Sequence, residues 1–246
     1  MSFVELHFHL LPGVDDGPSS TEESVALAAA AVADGTRTVV ATPHVHAHHV
    51  TDPSEIPARV RKLAEALRRQ RVPLGVLPGG EIAHQMVERL TQRQLEAIAH
   101  GPASRRWLLL EVPFSGLDAQ FTAAADELRA RGFAVVIAHP ERAQQTLATA
   151  TVVTHELAVG SVPQLSAWSL AGLNGEQARI AALRMLRTSQ AAVIASDAHG
   201  GSRMPALRQA LAALAAGTRK PERFAAENPR ALLDQGLAAR APVRIT

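Results

Sequence analysis

Short apolar runs alternate with amphipathic stretches along the whole chain. The runs lie at Phe3–Leu6, Thr38–Ala41, Leu74–Leu77, Trp107–Leu110, Ala134–Ala138, Val162–Leu165 and Ala192–Ala195, and their length and apolar character predict strands. Between them, apolar residues recur at helical spacing. Ser20 followed by Glu23 has the spacing of a capping box and leads into an Ala-rich helix that Gly35 can end. Pro57–Gln70 carries Val60, Leu63 and Leu67 on one face, and Leu117–Arg131 repeats the pattern before Gly132. Asn174–Arg187 places Ile180, Leu183 and Leu186 in one stripe; Met204–Ala216 and a short ending around Pro229–Asp234 follow. Strands alternating with helices imply parallel pairing through right-handed crossovers. Seven such units predict an α/β fold built as a closed or nearly closed (β/α) barrel, with an open doubly wound sheet as the alternative. No composition break, internal repeat or low-complexity linker divides residues 1–246, so a single domain is expected. Ile82–His100 is poorly patterned and reads as an excursion from the barrel.

Composition sharpens this picture. Hydrophobic residues make up 47% of the chain, but Phe, Trp and Tyr only 3%, so the core must be built from Ala, Val, Leu and Ile. There is no Cys, which excludes disulfides, thiolate metal sites and cysteine-based phosphatase chemistry; a reducing compartment is the simplest reading. The pI of about 9.9 sits beside a formal charge of only +2. Nearly all the cations are Arg, and almost nothing titrates between pH 7 and 10, so a small excess carries the pI upward. The field is too weak to read as a nucleic-acid surface. The first ten residues show no basic and apolar leader pattern, and stretches such as Val25–Ala33 and Ala210–Ala216 are shorter than the ~20 residues that span a bilayer. A soluble cytoplasmic protein is expected.

The strand ends carry the chemistry. The first run leads into His7 and His9, the second into Thr42-Pro43-His44, the third into Gly79-Gly80-Glu81, the fourth into Glu111, the fifth into His139, and the seventh into Asp197 and His199. In α/β barrels the C-terminal strand ends converge on the active site, so these residues can meet although they span the sequence. Imidazole and carboxylate suit zinc, manganese and iron. Residues two apart on a strand point to one side, which pairs His7 with His9 and Asp197 with His199. Any one of these residues alone reads better as a satisfied polar group; the joint pattern does not. His46, His48 and His49 read as solvated loop residues, His84, His100 and His155 as structural or surface ones, and Asp34 and Asp52 as helix-end and turn residues. In the loop Leu10–Gly17, Asp15 and Asp16 can be a ligand and a turn former, and spacing does not say which is which.

HFHLLPGVDDGP, ATPH, GGE, LLLEVP, AHPER, SDAH and ENPRALL, in that order, resemble the PHP (polymerase and histidinol phosphatase) superfamily, and within it the manganese-dependent protein-tyrosine phosphatases of bacterial capsule and exopolysaccharide operons. The resemblance runs from Val4 to about Leu233 and implies a distorted (β/α)7 TIM-like barrel with up to three divalent ions: manganese first, with iron or zinc also suited to the ligands. By position, His7, His9, Glu81 and Asp197 would hold one ion; Glu81, Glu111 and His139 a second, with Glu81 bridging; Asp16, His44 and His199 a third. Arg142 would grip the phosphate, with Arg203 as its partner through a spacer one residue shorter than the family's, and His44 is a candidate general acid. Ala143-Gln144-Gln145 stands where the family carries an aromatic. The implied substrate is the phosphotyrosine-bearing tail of a membrane-associated bacterial tyrosine kinase, reached without membrane insertion and without nucleic acid. The alternatives are a small-molecule phosphatase of the histidinol-phosphate type, a phosphodiesterase or nuclease, an amidohydrolase on the same barrel, and a metal-binding regulator without catalysis. Suitable residues at all nine ligand positions speak against the last, and the phosphate-type arginines against the amidohydrolase.

Overall fold

A computed structural model describes residues 2–144 and 146–239. Met1, Gln145 and the last seven positions lie outside them. The barrel expected from the pattern forms, with two of its strands broken. In chain order the strands are β1 (Phe3–Phe8), β2 (Thr36–Ala41), β3 (His44–Val45), β4 (Gly75–Pro78), β5 (Glu81–Ala83), β6 (Trp107–Glu111), β7 (Ala134–Ala138), β8 (Val162–Ser166) and β9 (Val193–Ala195). All pair in parallel, in one sheet of order β1-β2-β4 and another of order β3-β5-β6-β7-β8-β9. β2 runs into β3 across Thr42-Pro43, and β4 into β5 across Gly79-Gly80, so the nine segments follow seven barrel positions. Phe8 and Ala198 form a parallel bridge that closes the ring, with Asp197 N donating to the His7 carbonyl at 3.1 Å.

The breaks have local causes. Pro43 has no N–H to give a neighbouring strand. At Gly79 a β-carbon would lie 2.4 Å from Val40 Cγ1, and at Gly80 2.8 Å from Val45 Cγ2, so only glycine lets the third strand approach the second this closely. β4 and β6 do not pair directly. The seam is filled by the predicted excursion: His100 and Trp107 exchange backbone hydrogen bonds of 3.0 and 2.8 Å in an antiparallel bridge.

Successive residues of each strand face different layers. Trp107 and Leu109 of β6 and Val136 and Ala138 of β7 join Val4, Leu6, Val40, Val162 and Val193 in one cluster, the barrel interior. Leu108, Leu110, Val135 and Ile137 pack instead with helical residues such as Leu27, Leu63, Phe121 and Leu186. Buried on both faces, β6, β7 and β8 are continuous buried runs, whereas β4 is half-exposed. The helices are α1 (Thr21–Asp34), α2 (Ile56–Arg69), α3 (Gln92–Ile98), α4 (Ala119–Ala130), α5 (Leu147–Ala158), α6 (Ala167–Leu170), α7 (Glu176–Thr188), α8 (Leu207–Leu214) and α9 (Glu227–Gln235). Leu232 of α9 joins the interior cluster and accepts a 2.9 Å hydrogen bond from Trp107 Nε1.

Three expectations need correcting. Ser20 caps α1 by accepting from Glu23 N, but the Glu23 carboxylate accepts from Ser19, not from Ser20, so the box is not reciprocal. In α7 the stripe is turned: Ile180 is exposed, and Ala178, Ala181, Ala182, Met185 and Leu186 are buried. The helix α5 was not foreseen, because Thr149, Thr151, Val152, Val153 and Thr154 are β-branched and weak helix formers. Tertiary packing overrides that propensity: Val153 is buried, and Glu156 is buried in an ion pair with Arg129.

Candidate metal centre

The expected strand ends meet at one mouth of the barrel. His7 ends within β1 and His9 just beyond it, and their Nε2 atoms lie 3.1 Å apart, on one side as their spacing implies. Asp197 and His199 do not sit on a strand: β9 stops at Ala195, and Asp197 turns the chain with φ +52°. His139 is likewise left-handed, with φ +36°. A non-glycine residue held there costs on the order of 1–3 kcal/mol and persists where surrounding structure enforces it, often at functional sites.

Glu81 is the hub. Its Oε2 lies 3.1 Å from His7 Nε2, 3.3 Å from His9 Nε2 and 3.1 Å from His44 Nδ1, while His139 Nε2 contacts its Oε1 at 2.9 Å. Asp197 Oδ1 lies 3.2 Å from His7 Nε2 and 3.4 Å from His9 Nε2. Asp16 Oδ1 lies 3.1 Å from His199 Nε2 and 3.4 Å from His44 Nε2. Among the described residues, ligand atoms within 4.8 Å of one another fall into three groups: His7, His9, Glu81 and Asp197; His9, Asp16, His44 and His199; and His44, Glu81 and Glu111. The structure therefore brings all nine expected residues together, although His44 rather than His139 groups with Glu81 and Glu111, and His9 joins two groups.

The donor set fits divalent cations. Glu81 Oε2 and Asp197 Oδ1 are fully buried and crowded by histidine nitrogens, yet neither accepts a well-formed hydrogen bond; His139 Nδ1 is buried and likewise makes none, nor does His199 Nε2 beside Asp16. Such orphaned groups are costly unless something satisfies them, and a cation between nitrogen and oxygen lone pairs does so.

The protonation pattern shows the same crowding. Burial alone would raise Glu81 and Asp197, but the surrounding histidines hold both well below the usual carboxylate range. Burial, then the charge of Glu81, pushes Glu111 up to about 7. Burial, then His9, pushes His199 down to about 3. Burial alone would lower His9, but Asp15, Asp197 and Glu81 outweigh it and raise it well above its ordinary value.

Two arginines face this cluster. Arg142 Nη1 and Arg203 Nη2 both donate to Asp197 Oδ2, at 2.6 and 2.8 Å. Arg203 also reaches Asp16 Oδ2 at 3.5 Å, so its short spacer does not keep it from the site. Phe114 lines the same cavity, with the Arg142 guanidinium carbon 4.8 Å from its ring centre.

The structure separates Asp15 from Asp16. The Asp15 side chain is buried, its Oδ2 accepting from His9 Nδ1 at 2.7 Å and from His44 N at 3.0 Å, and its Oδ1 from Gly17 N at 3.0 Å. Asp16 is half-exposed and faces the histidine cluster. Sequence reasoning also missed Gln164, the inward residue of the one barrel strand without a ligand type at its end. Its Oε1 contacts His7 Nδ1 at 2.7 Å and accepts from His139 N at 3.3 Å. Asp15 and Gln164 thus fix the outer nitrogens of His9 and His7 and leave both Nε2 atoms turned inward, as a second layer around metal ligands does. No spacing signal marks Gln164; only the fold reveals it. His46 and His49 line the cavity mouth although the loop reads as solvated, and His48 is exposed beside them. None of His84, His100 and His155 joins the cluster: His84 lies near Phe121, and the His100 ring is tilted against that of Trp107. Asp34 accepts from Arg208 N, and Asp52 caps the turn at Pro53–Glu55.

Comparisons with known proteins bear on the chain as a whole. Residues 3–234 match the family described as capsular polysaccharide synthesis, CpsB/CapC. The chain is 33% identical over 202 residues to the tyrosine-protein phosphatase YwqE of Bacillus subtilis, covering 80% of this chain and 77% of that one. It is 27% identical to the tyrosine-protein phosphatase CpsB of Streptococcus pneumoniae over 94% of this chain and 98% of that one. A chain from the crystal structures of YwqE and CpsB, described there as unique metal-dependent tyrosine phosphatases, superposes with TM-score 0.82 at 30% identity over 99% of each chain. A phosphotriesterase homology protein from Escherichia coli shares the barrel at 13% identity, with TM-score 0.61 over 93% of this chain and 97% of that one.

Proposed function

The chain belongs to the CpsB/CapC family of capsular polysaccharide synthesis, and on that premise we propose that it is a metal-dependent protein-tyrosine phosphatase working as one catalytic domain. Its proposed substrate is the phosphotyrosine-bearing tail of a membrane-associated kinase, met on the cytoplasmic side. The observation that carries the reading is the meeting of Arg142 and Arg203 on Asp197 Oδ2, at the edge of a buried imidazole–carboxylate cluster.

His7, His9, Glu81 and Asp197 would hold one ion; Glu81 and Glu111 with His139 or His44 a second; Asp16, His44 and His199 a third, manganese being the first choice. Bound divalent ions supply Lewis acidity toward phosphoryl oxygen and make water a nucleophile at neutral pH. The chain's own residues do the rest. Arg142 and Arg203 place planar, permanently charged donors where phosphoryl oxygens enter, and such donors hold charge as it develops in the transition state. Glu81, gripped by four histidines, stays ionised and fixed. Asp15 and Gln164 hold the His9 and His7 rings in place. His44 carries contacts on both ring nitrogens, to Glu81 and to Asp16, and lines the mouth; it would be the candidate to protonate a leaving group only where it is not itself a ligand. A phenolate, whose conjugate acid has a pKa of about 10, needs that help less than an alkoxide does, which favours phosphotyrosine over phosphoserine. No nucleophilic thiol exists in the chain, so direct displacement by water is the fitting route.

The test is phosphate release from matched phosphotyrosyl and phosphoseryl peptides, with manganese and with a chelator. Chelator-sensitive release from phosphotyrosine alone is expected; equal release from both peptides would discard the tyrosine assignment and leave the phosphoesterase.

A further inference from the structure

The cavity at the mouth, about 270 Å³, is lined by carboxylates, imidazoles and guanidinium groups and by one apolar side chain, Phe114. Scattered exposed apolar residues need no explanation, but this one is 56% exposed while in contact with two groups of the site. Its ring stacks on that of His139, with centroids 5.9 Å apart and 16° between planes, and the Arg142 guanidinium lies 4.8 Å from its centre. The segment presenting it is anchored. The Phe114 carbonyl accepts from Gln144 N at 2.9 Å, Gly116 N donates to Pro113 at 3.0 Å, and Leu117 N donates to the Thr149 hydroxyl at 3.2 Å.

We propose that Phe114 is the residue that recognises the aryl group of a phosphate ester, its ring packing against the phenyl ring of the substrate while Arg142 holds the phosphoryl group. The inference rests on the phosphotyrosine reading above and adds the contact that recognises the ring. Arg142 touches both Asp197 Oδ2 and the Phe114 ring, so a ring one ester bond away from a phosphoryl group on Arg142 falls beside Phe114. Two aromatic rings gain more than an aromatic ring and a short alkyl group, through both area and edge–face geometry. The adjoining cavity, which shares Arg142, Asp197 and Arg203, is lined by Leu173 and by Trp168, whose Nε1 donates to the Met204 carbonyl at 2.9 Å, and that space is about half as large.

The experiment compares Phe114→Ala, Phe114→Leu and Phe114→Tyr with the wild type on p-nitrophenyl phosphate and a phosphotyrosyl peptide, with inorganic phosphate as competitive inhibitor. Phe114→Ala should raise KM for both aryl esters about three- to tenfold and leave kcat and the inhibition constant of phosphate within twofold. Phe114→Leu should fall between, and Phe114→Tyr should match the wild type. An unchanged KM would overturn the proposal. So would a phosphate inhibition constant that rises in step with KM, because the ring would then act only by steadying Arg142. A KM loss in Trp168→Ala or Leu173→Ala but not in Phe114→Ala would move the ring to the other cavity and also overturn it. Failure of the wild type to hydrolyse any aryl ester would remove the underlying reading instead.

Discussion

Asp15 and Asp16 are adjacent in sequence and should respond oppositely to the same change. Asp15→Asn keeps the shape but supplies one carbonyl oxygen where the wild type uses two. Placed at the Oδ2 position, that oxygen still accepts from His9 Nδ1 and His44 N, but the amide group then faces Gly17 N–H, whose 3.0 Å bond is lost. Losing a buried acceptor costs about 1–3 kcal/mol. Burial alone would raise the Asp15 carboxyl, but the hydrogen bond and charge of His9 outweigh it and hold it down to about 2, below its ordinary 3.8. Ionised Asp15 therefore contributes stability that is complete above about pH 4 and is lost as the pH falls through about 2, worth about 2 kcal/mol. In the metal-stripped protein, Asp15→Asn should lower Tm by about 4–8 °C at pH 7, and the gap should close toward pH 2. Metal affinity should drop about 10- to 100-fold, because His9 loses the partner that orients it. Asp16 is half-exposed and faces the cluster, so Asp16→Asn should leave metal-free stability within about 0.5 kcal/mol while impairing turnover. Thermal unfolding from pH 3 to 8 with chelator, followed by calorimetric metal titration, reads both. A wild-type Tm for Asp15→Asn above pH 5, or the larger stability loss in Asp16→Asn, would refute the division of roles.

Arg203→Lys keeps the charge but loses the planar fork that reaches Asp197 Oδ2; kcat/KM on a phosphotyrosyl peptide should fall about 100-fold, and an unchanged value would remove Arg203 from phosphate binding. Manganese at about 100 times its Kd should stabilise the fold by about 2.7 kcal/mol, reversed by chelator; an unmoved Tm would count against the cluster as a cation site. Burial pushes the Glu5 carboxyl up to about 8, against hydrogen bonds from Ser196. The folded state thus retains a proton that the unfolded chain releases near 4.5, so this contribution is present below about pH 4.5 and lost as pH rises through about 8. Glu5→Gln should flatten the decline in metal-free stability over that window, and an unaltered slope in urea unfolding would contradict it.

Most strands were legible because they are buried on both faces, β4 being the half-exposed exception, and the ligand types because they stand where those runs end. What stayed hidden is local irregularity. The second barrel strand breaks at Pro43 and resumes at His44; the third breaks at Gly79-Gly80 and resumes at Glu81. In the new register His44 lies opposite Glu81, and Ala83 opposite Glu111. An unbroken β2 would continue the period-two alternation through Thr42 and Pro43, and nothing in that alternation alone would set His44 against Glu81. The left-handed turns at His139 and Asp197 act alike: each ends a regular strand and re-aims one residue at the cluster. Pattern-based reading finds regular elements, because regularity is what hydrophobic period reports. This barrel departs from regularity at His44, Glu81, His139 and Asp197, the residues that converge on one another, as expected where local rules yield to a functional site. The same holds for α5, whose β-branched sequence argues against a helix, yet whose Thr149 hydroxyl accepts from Leu117 N and donates to the Gln144 carbonyl, tying down the segment that presents Phe114.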